Sequence, residues 1–444
     1  MSLRGSGTRP QDDTPSTTKS GTAGAADPAV DANGADQLPA DLQDERLIAS
    51  HGISGAVSAF IARLRSGDLG SVPVAIGLII IWAVFQIANS SFLSSRNLVN
   101  LTLQTSWIGV IALGIVLVLL LGEIDLSVGS VSGLSASVLA VTFVNQSWPL
   151  VLSLVVSVAL GLVIGLFYGA LYTRFGVPSF VITLAGLLGF LGLQLLVLGK
   201  EGTLNLPFDS ALVRFATRSF LSPALSYGLI VVVVALYVLT RLRGRGARIA
   251  AGLSAAPPSM IAIKAGALAV GLFVPVLILN GNRGVSSMFL LFLGLVVATD
   301  LAVRRTSWGR SVVAVGGNVE AARRAGINVR MIYLSVFAAC STFAAVGGIL
   351  AAARLGAVSQ SSGGTDTNLN AIAAAVIGGT SLFGGRGSAY SALLGAFVIM
   401  SISNGLALLS LDSSIRYMVT AGVLLIAVTI DSLSRRSRQA HGRA

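Results

Sequence analysis

Long apolar stretches recur along the chain and limit its possible folds more than any other feature of the sequence. A bilayer core about 30 Å thick needs about 20 apolar residues per helical crossing, and such runs recur from Val72 to Ile430. Hydrophobic residues fill 54% of the 444 positions and charged residues only 11%, which is too apolar for a soluble globular protein. Because the runs are continuous rather than alternating, the sequence predicts an all-α, polytopic transmembrane helical bundle and not a β-barrel.

The apolar runs divide into about 10–12 membrane segments, with boundaries that carry an error of several residues. The predicted spans are residues 72–92, 103–121, 127–144, 149–172, 179–198, 223–240, 260–280, 286–303, 331–352, 369–383, 388–409 and 413–431. The segment 369–383 is short for a full crossing, so we interpret it as a short or broken helix.

Polar segments flank the predicted transmembrane domain, which we place at residues 71–432. Residues 1–70 carry nine acidic and six basic side chains among many Ser, Thr, Gly and Ala, and are predicted to be a disordered cytoplasmic tail. Residues 433–444 form a basic tail, also predicted to be cytoplasmic. Since the first long apolar run begins only near Val72, no cleaved signal peptide is expected.

Basic residues are distributed unevenly between the predicted loops. Arg174, the four arginines between positions 241 and 248, the loop 304–330 and the arginines after position 433 fall on one side of the predicted membrane. The positive-inside rule identifies that side as the cytoplasm. The net charge of +12 follows from this arrangement. No basic folded domain is recognisable, so a nucleic-acid partner is not expected.

The sequence contains few residues that could carry out catalysis. It has no Gly-x4-Gly-Lys-Ser/Thr phosphate-binding loop, so ATP hydrolysis on this chain is not expected. His51, His441 and Cys340 are the only histidines and cysteine and lie far apart in sequence, so neither a metal site nor a cofactor is predicted. Outside the N-terminal tail, the nine carboxylates do not cluster as catalytic acid pairs would. These features indicate a transport subunit and not an enzyme.

The loop 304–330 is the longest polar insert between two apolar spans and predicts a short helix at the cytoplasmic surface. Asn318 can cap its N terminus, Glu320 lies in its first turn and Gly326 can end it. Such a helix could dock into a groove on a soluble partner and pass on a conformational change. The alternative is an ordinary loop that is basic because of the positive-inside rule.

Two further segments interrupt the apolar pattern. Glu123 and Asp125 lie near the predicted cytoplasmic end of a span, where ionisable groups are expected to face the bundle interior, a partner or water; alternatively, Asp125 is a purely structural helix cap. Five glycines between positions 378 and 387 are typical of a broken helix lining a cavity, or of close packing through small residues. The candidates for a translocation pathway are Glu123, Asp125, Ser127, Gly378, Gly379, Thr380 and Ser381.

Three motifs, in this order along the chain, resemble those of the ribose/xylose-type family of ABC transporter permeases, within the branched-chain-amino-acid/monosaccharide importers. They are residues 122–130 (Gly-Glu-Ile-Asp-Leu-Ser-Val-Gly-Ser), the loop residues 309–329, and residues 373–388, which include Ile-Gly-Gly-Thr-Ser-Leu-Phe-Gly-Gly-Arg-Gly-Ser. The similarity extends over about Val72 to Ser432 and looks most like the xylose-type branch. The polar N-terminal tail and residues 243–259 depart from the family pattern.

This resemblance implies the membrane-spanning permease subunit of an ABC importer for a monosaccharide, such as xylose or another pentose or hexose. The implied partners are a separate ABC ATPase subunit, a periplasmic or lipid-anchored sugar-binding protein, a second copy of the chain and the lipid bilayer of the cytoplasmic membrane. The implied ATPase-coupling loop contains Gly316, Gly317, Asn318, Glu320, Ala321, Ala322, Arg323, Gly326, Ile327 and Asn328. A stand-alone secondary transporter for a small polar solute is the alternative, with Glu123 and Asp125 as its candidates for ion coupling.

Overall fold

A computed structural model describes residues 72–415 and 417–423, together with residues 425 and 429. The predicted tails at 1–70 and 433–444, and part of the predicted span 413–431, lie outside the described residues. Within the described part the chain is a helical bundle in which nine helices are long and apolar enough to cross a membrane. The predicted fold class, an all-α polytopic bundle, is confirmed.

The elements are numbered in chain order. The helices are α1 (Val72–Ala88), α2 (Ser95–Leu120), α3 (Val128–Ala140), α4 (Leu150–Phe175), α5 (Ser179–Leu198), α6 (Ala211–Thr217), α7 (Pro223–Ala250), α8 (Pro258–Asn280), α9 (Ser287–Arg305), α10 (Ser307–Gly317), α11 (Val319–Arg324), α12 (Val329–Leu355), α13 (Thr365–Ile377) and α14 (Ala389–Leu408). A π-helical turn, Val141–Asn145, follows α3. Two short strands, β1 (Thr203–Asn205) and β2 (Ala357–Ser359), pair antiparallel.

Most predicted spans agree with the observed helices to within a few residues. The largest difference is α7, which continues to Ala250 although its predicted span ends at 240. Its extension carries several arginines, which are good helix formers and favour the negative end of the helix dipole. The short segment predicted at 369–383 begins earlier, at Thr365, and its helix ends at Ile377, just before the first glycine of the Gly-rich segment.

Helix α2 forms the centre of the bundle. Of its most apolar stretch, 89% is buried inside the protein, and it contacts α9, α12, α13 and α14. Its C-terminal half, from Ile108 to Leu120, is apolar on every side, which suits a buried position because no face has to meet water. Because α2 is 26 residues long, its two ends reach both faces of the bundle. We call the face that carries α10 and α11 the loop face, and the opposite one the far face.

Helices α7 and α8 lie at the periphery and form a hairpin that packs chiefly on itself. Only 6% of the apolar stretch of α7 and 11% of that of α8 are buried in the chain. Their exposed side chains are largely Val, Leu, Ile and Phe. Helices with this pattern are compatible with a surrounding bilayer and not with water.

On the far face, the buried side chain of Gln194 holds the segment around β2 against α5. Its Nε2 donates to the carbonyl oxygen of Ser359 at 3.1 Å and to that of Ser362 at 2.9 Å. Gln194 is fully buried, and a buried amide with such partners stabilises only the backbone conformation that supplies them. The path of residues 357–362 is therefore fixed by a side chain from another helix.

Candidate coupling loop and translocation pathway

The predicted coupling loop contains two helices where the sequence predicted one. The first, α10, is capped by the preceding residue, Thr306, whose Oγ1 accepts from the backbone N–H of Gly309 at 3.1 Å. Val312 and Val315 on its inner side are fully buried, and Trp308 Nε1 donates to Ser335 Oγ on α12 at 2.8 Å. The single-helix prediction missed α10 because this helix is stabilised by contacts with distant residues, such as that of Trp308 with Ser335. Its buried side anchors it to the bundle.

The second helix, α11, has the capping residues that the sequence predicted. Asn318 Oδ1 accepts from the N–H of Ala321 at 2.9 Å. At the other end, Gly326 is left-handed with φ +82°, its N–H donates to Arg323 O at 3.0 Å, and the N–H of Ile327 donates to Ala322 O at 3.1 Å. These two bonds form a Schellman motif, which satisfies the final carbonyls of a helix.

The outer surface of α11 is charged and exposed. Glu320 accepts from Arg323 at 3.0 Å and lies 3.5 Å from Arg324. The side chains of these three residues are 58%, 64% and 80% exposed. Exposed ion pairs contribute little to stability, about 0–1 kcal/mol each. These side chains can therefore exchange their mutual contacts for contacts with another protein at little cost in stability.

Three segments that the sequence singled out separately meet at one point on the loop face. We call this point the glycine junction and define it as Leu120, Gly122, Gly316, Gly384 and Gly385. The N–H of Gly385 donates to the carbonyl oxygen of Leu120, the last residue of α2, at 2.9 Å. Thus the end of α2, the end of α10 and the late glycine-rich segment touch through their backbones.

Glycine is required at this junction for steric reasons. A methyl group on Gly316 would overlap the carbonyl oxygen of Leu120 and lie 2.9 Å from the nitrogen of Gly385. One on Gly384 would lie 2.6 Å from the oxygen of Gly316 and 2.9 Å from the nitrogen of Gly122. Gly122, Gly384 and Gly385 also have positive φ angles of 80°, 80° and 72°, which side chains disfavour. By contrast, no described atom lies within 4 Å of such a methyl group on Gly317.

Asp125 is buried beside the end of α2 and organises the turn into α3. Its Oδ1 accepts from the N–H of Ser127 at 2.8 Å and from the Ser127 hydroxyl at 2.7 Å, while Tyr168 donates to that hydroxyl at 2.8 Å. Cys340 Sγ lies 3.6 Å from the other carboxylate oxygen. Burial raises the pKa of Asp125, and the hydrogen bonds from Ser127 oppose this rise. The arrangement is that of a helix-entry cap facing the bundle interior; a role in the pathway stays a prediction.

Glu123 also points into the protein and connects two helices. Its carboxylate accepts from the hydroxyl of Tyr172 on α4 at 2.6 Å and from that of Ser179 on α5 at 2.5 Å. Both acids thus lie at the loop-face end of α2. This is the position that the sequence predicted for them, close to the end of a span.

The late segment combines irregular backbone with close helix packing. Residues 378–388 are non-helical between α13 and α14. A methyl group on Gly378 would overlap the backbone of Ser391, so the helices approach too closely there for a side chain. Thr380 is 1% exposed and its Oγ1 has no hydrogen-bond partner among the described residues, whereas the Ser381 N–H donates to Arg386 O at 3.0 Å.

A cavity of about 640 Å³ lies towards the far face, and none of the predicted pathway residues lines it. Its wall includes polar side chains from several helices: Gln104, Arg354, Asp366, Asn370 and Asn404. Sequence reasoning missed these residues. The available signal was that amides and a cation lie within or at the ends of apolar spans, where polar groups are rare and usually functional. In the described ranges, no group of three His, Cys, Asp or Glu side chains could hold a metal ion.

The bundle, the capped loop and the polar cavity together define a membrane transport subunit. Residues 97–428 match the family described as the permease component of branched-chain amino acid transport systems, and the chain belongs to that family. It is therefore a permease component, a transport subunit rather than an enzyme, and a multi-pass membrane protein.

Several characterised proteins are similar to most of the chain. The xylose transport system permease protein of Escherichia coli is 38% identical over 365 residues, 82% of this chain and 90% of that protein. Its counterpart in Haemophilus influenzae is 36% identical over 375 residues, 84% and 99% of the two chains. The ribose import permease protein of Bacillus subtilis is 31% identical over 357 residues, 80% and 91% of the two chains. No solved structure matches the chain.

Proposed function

We propose that the chain is the membrane-spanning subunit of an ABC importer that moves a monosaccharide, xylose or another pentose or hexose, across the cytoplasmic membrane. The similarity to xylose and ribose permeases supports a sugar as the substrate. The observation that carries the proposal is the architecture of α10 and α11. One helix is anchored in the bundle, and the other presents an exposed, capped surface to a partner.

The proposed partners follow from two features of the chain: it has no phosphate-binding loop in its sequence, and it has a single coupling loop. Without a phosphate-binding loop in its sequence, the chain needs ATP hydrolysis on a separate subunit. Each copy offers one coupling loop, so a homodimer would engage two ATPase subunits. A periplasmic or lipid-anchored sugar-binding protein would deliver substrate at the far face. The loop face and both termini would then be cytoplasmic, and the chain itself would carry no cofactor.

The glycine junction gives this proposal a route for coupling. An ATPase that pushes on α11 would move α10, and Gly316 would pass that displacement to the end of α2 and to the late glycine-rich segment. Close backbone contacts transmit displacement well because packed interfaces are not continuously deformable. The predicted pathway residues Glu123, Asp125 and Gly378 to Ser381 lie in segments that adjoin this contact. They would respond directly to the movement.

Co-purification with the ATPase subunit tests the coupling role. We expect Glu320→Lys to reduce recovery of the ATPase from detergent-solubilised membranes, because it reverses the charge of an exposed residue on α11. Glu201→Lys makes the same change on the far face, where Glu201 is exposed, and should recover the ATPase normally. Equal recovery with both variants would refute the assignment of α11 as the docking helix.

Reconstitution tests the energy source. In proteoliposomes containing the ATPase and the sugar-binding protein, D-xylose uptake should require ATP. Uptake by the chain alone, driven by an ion gradient and unaffected by ATP, would instead establish the secondary transporter.

A further inference from the structure

The far-face cavity is lined by side chains whose chemistry points to a particular ligand. It lies between the outer half of α2, the C-terminal ends of α12 and α14 and the N-terminal end of α13. Its wall carries amide and hydroxyl side chains, one arginine, one carboxylate and the indole of Trp107, interspersed with the apolar side chains of Leu191, Met400 and Ala407. Such polar groups inside a membrane bundle are unfavourable unless they have partners.

Arg354 lacks the partners that its burial calls for. Its Nε is buried and has no hydrogen-bond partner within the described part of the chain. No described carboxylate lies within ion-pairing distance of it. Its place in the last turn of α12 suits a positive charge, but a helix end does not satisfy the donors of a guanidinium group. A ligand in the cavity would accept hydrogen bonds from Arg354.

An amide ladder holds other polar groups at the cavity wall. Asn97 Nδ2 donates to Asn404 Oδ1 at 2.8 Å, and Asn404 Nδ2 donates to Gln104 Oε1 at 3.5 Å. This chain of bonds uses the oxygen of Gln104 and leaves its NH₂ group as the donor for a ligand. Tyr417 and Asp366 also line the cavity, and Tyr417 donates to Asp366 Oδ2 at 2.6 Å, which holds an acceptor in place.

Mixed donors and acceptors suit a neutral ligand rich in hydroxyl groups. A single anion would be repelled by Asp366, and a single cation by Arg354. A zwitterionic amino acid with a branched apolar side chain could pair with both charges. Leu191, Met400 and Ala407 offer such a side chain apolar contacts, so competition between D-xylose and L-leucine for the site distinguishes the two ligands. The C–H face of a sugar ring, in contrast, fits against an indole such as Trp107.

We propose that this cavity is a monosaccharide-binding site within the permease itself, where Arg354, Gln104 and Asp366 bond sugar hydroxyls and Trp107 contacts the ring. The inference rests on the proposed sugar-import function. Substrate selection then does not depend on the delivery protein alone, because the membrane subunit also discriminates among solutes.

The test uses the purified chain in lipid nanodiscs, without ATPase or binding protein, titrated with radiolabelled D-xylose in equilibrium dialysis. We expect saturable binding that D-ribose competes with better than L-leucine does. Arg354→Met should weaken binding by about tenfold or more, since it removes hydrogen bonds from a charged donor, and Arg354→Lys should restore part of it. Trp107→Leu should weaken binding about threefold or more, whereas Trp107→Phe, which keeps an aromatic face, should stay close to the native chain.

Trp148→Leu provides the matched control. Trp148 is 37% exposed and does not line the cavity, so this variant should bind xylose normally. Thermal unfolding of each variant separates loss of binding from loss of fold, and the rescue by lysine or phenylalanine reports a direct contact.

Distinct outcomes would overturn the inference and the proposed function. If the complete complex imports D-xylose with ATP but the isolated chain shows no saturable binding, or the cavity variants bind as the native chain does, the binding site is refuted and the import function stands. Tighter binding of L-leucine than of D-xylose would refute the sugar assignment. Failure of the complete complex to import any pentose or hexose would refute both.

Discussion

Replacing Gly316 by alanine should break the glycine junction, one of the contacts through which the coupling loop meets the bundle. The added methyl group would overlap Leu120 O and approach Gly385 N to 2.9 Å. Because unstrained contacts need about 3.5 Å, α10 and the end of α2 would have to separate by about 1–2 Å. Overpacking of this kind lowers the free energy of unfolding by about 1–3 kcal/mol. Loss of the 2.9 Å bond from Gly385 to Leu120 would add about 1 kcal/mol.

The neighbouring glycine offers a control for this substitution. Gly317 also lies in α10, and within the described part of the chain a methyl group there meets no atom within 4 Å. Gly317→Ala should leave the unfolding free energy within about 0.5 kcal/mol of the native value, and alanine is the better helix former. The two variants thus differ only in whether the new methyl group enters the glycine junction.

The decisive assay measures ATP hydrolysis and sugar uptake together in reconstituted complexes. We expect Gly316→Ala to assemble and hydrolyse ATP while taking up little sugar per ATP, and Gly317→Ala to show the native ratio. Native uptake by Gly316→Ala with an unchanged melting temperature would refute the role of the junction. Equal damage from both substitutions would indicate a general sensitivity of α10 instead.

Three other substitutions test separate features. Gly326→Val should strain the left-handed end of α11 by about 1–3 kcal/mol and reduce ATPase co-purification, whereas Gly326→Asn should be tolerated; normal co-purification with valine would contradict this. Asp125→Ala should lower the free energy of unfolding by about 1–3 kcal/mol, because it leaves the N–H and hydroxyl donors of Ser127 without their acceptor in a buried site. Asp125→Asn, which keeps an acceptor, should retain most of the stability, and identical melting of the two variants would exclude the cap. Gln194→Leu should raise the rate of amide hydrogen exchange in residues 357–364, because it removes the hydrogen bonds to the carbonyl oxygens of Ser359 and Ser362. Unchanged protection would show that the conformation of β2 does not depend on Gln194.

The fold class was predictable because the membrane imposes a strict relation between sequence and structure. Backbone polar groups must be satisfied within each apolar run, so a run of sufficient length predicts a helix whatever its tertiary contacts. The span 179–198 coincides with α5. The end of α7 could not be placed in this way, since arginines that leave the apolar layer can still continue a helix to Ala250.

Local capping rules located α11 correctly, because its signals lie within a few residues of one another. Asn318 and Gly326 act on backbone groups of their own helix. Such interactions can be predicted from the local sequence without knowledge of the tertiary structure. Helix α10 was missed because its stability depends on distant partners, such as Ser335 for Trp308.

The far-face cavity could not be derived for the same reason. Gln104, Arg354 and Asn404 lie on three different helices, and no sequence spacing states that they face one volume. Each was visible as a polar residue in or next to an apolar span. Their convergence required the packing of α2 against α12 and α14.

Helix α2 contributes Gln104 and Trp107, near its middle, to the cavity and its C-terminal end to the glycine junction, so it can act as a lever. Its 26 residues span about 39 Å, so a tilt of about 5° around its midpoint would move each end by about 1.7 Å, in opposite directions. A push of that size on Leu120 from the coupling loop would shift Gln104, about 5 Å beyond the midpoint, by about 0.5 Å the other way, while Trp107 lies at the midpoint and would stay nearly in place. The contacts between the cavity wall and a solute could then change without unfolding any helix. The ratio of the displacements at the two positions would depend on where α2 pivots against α12.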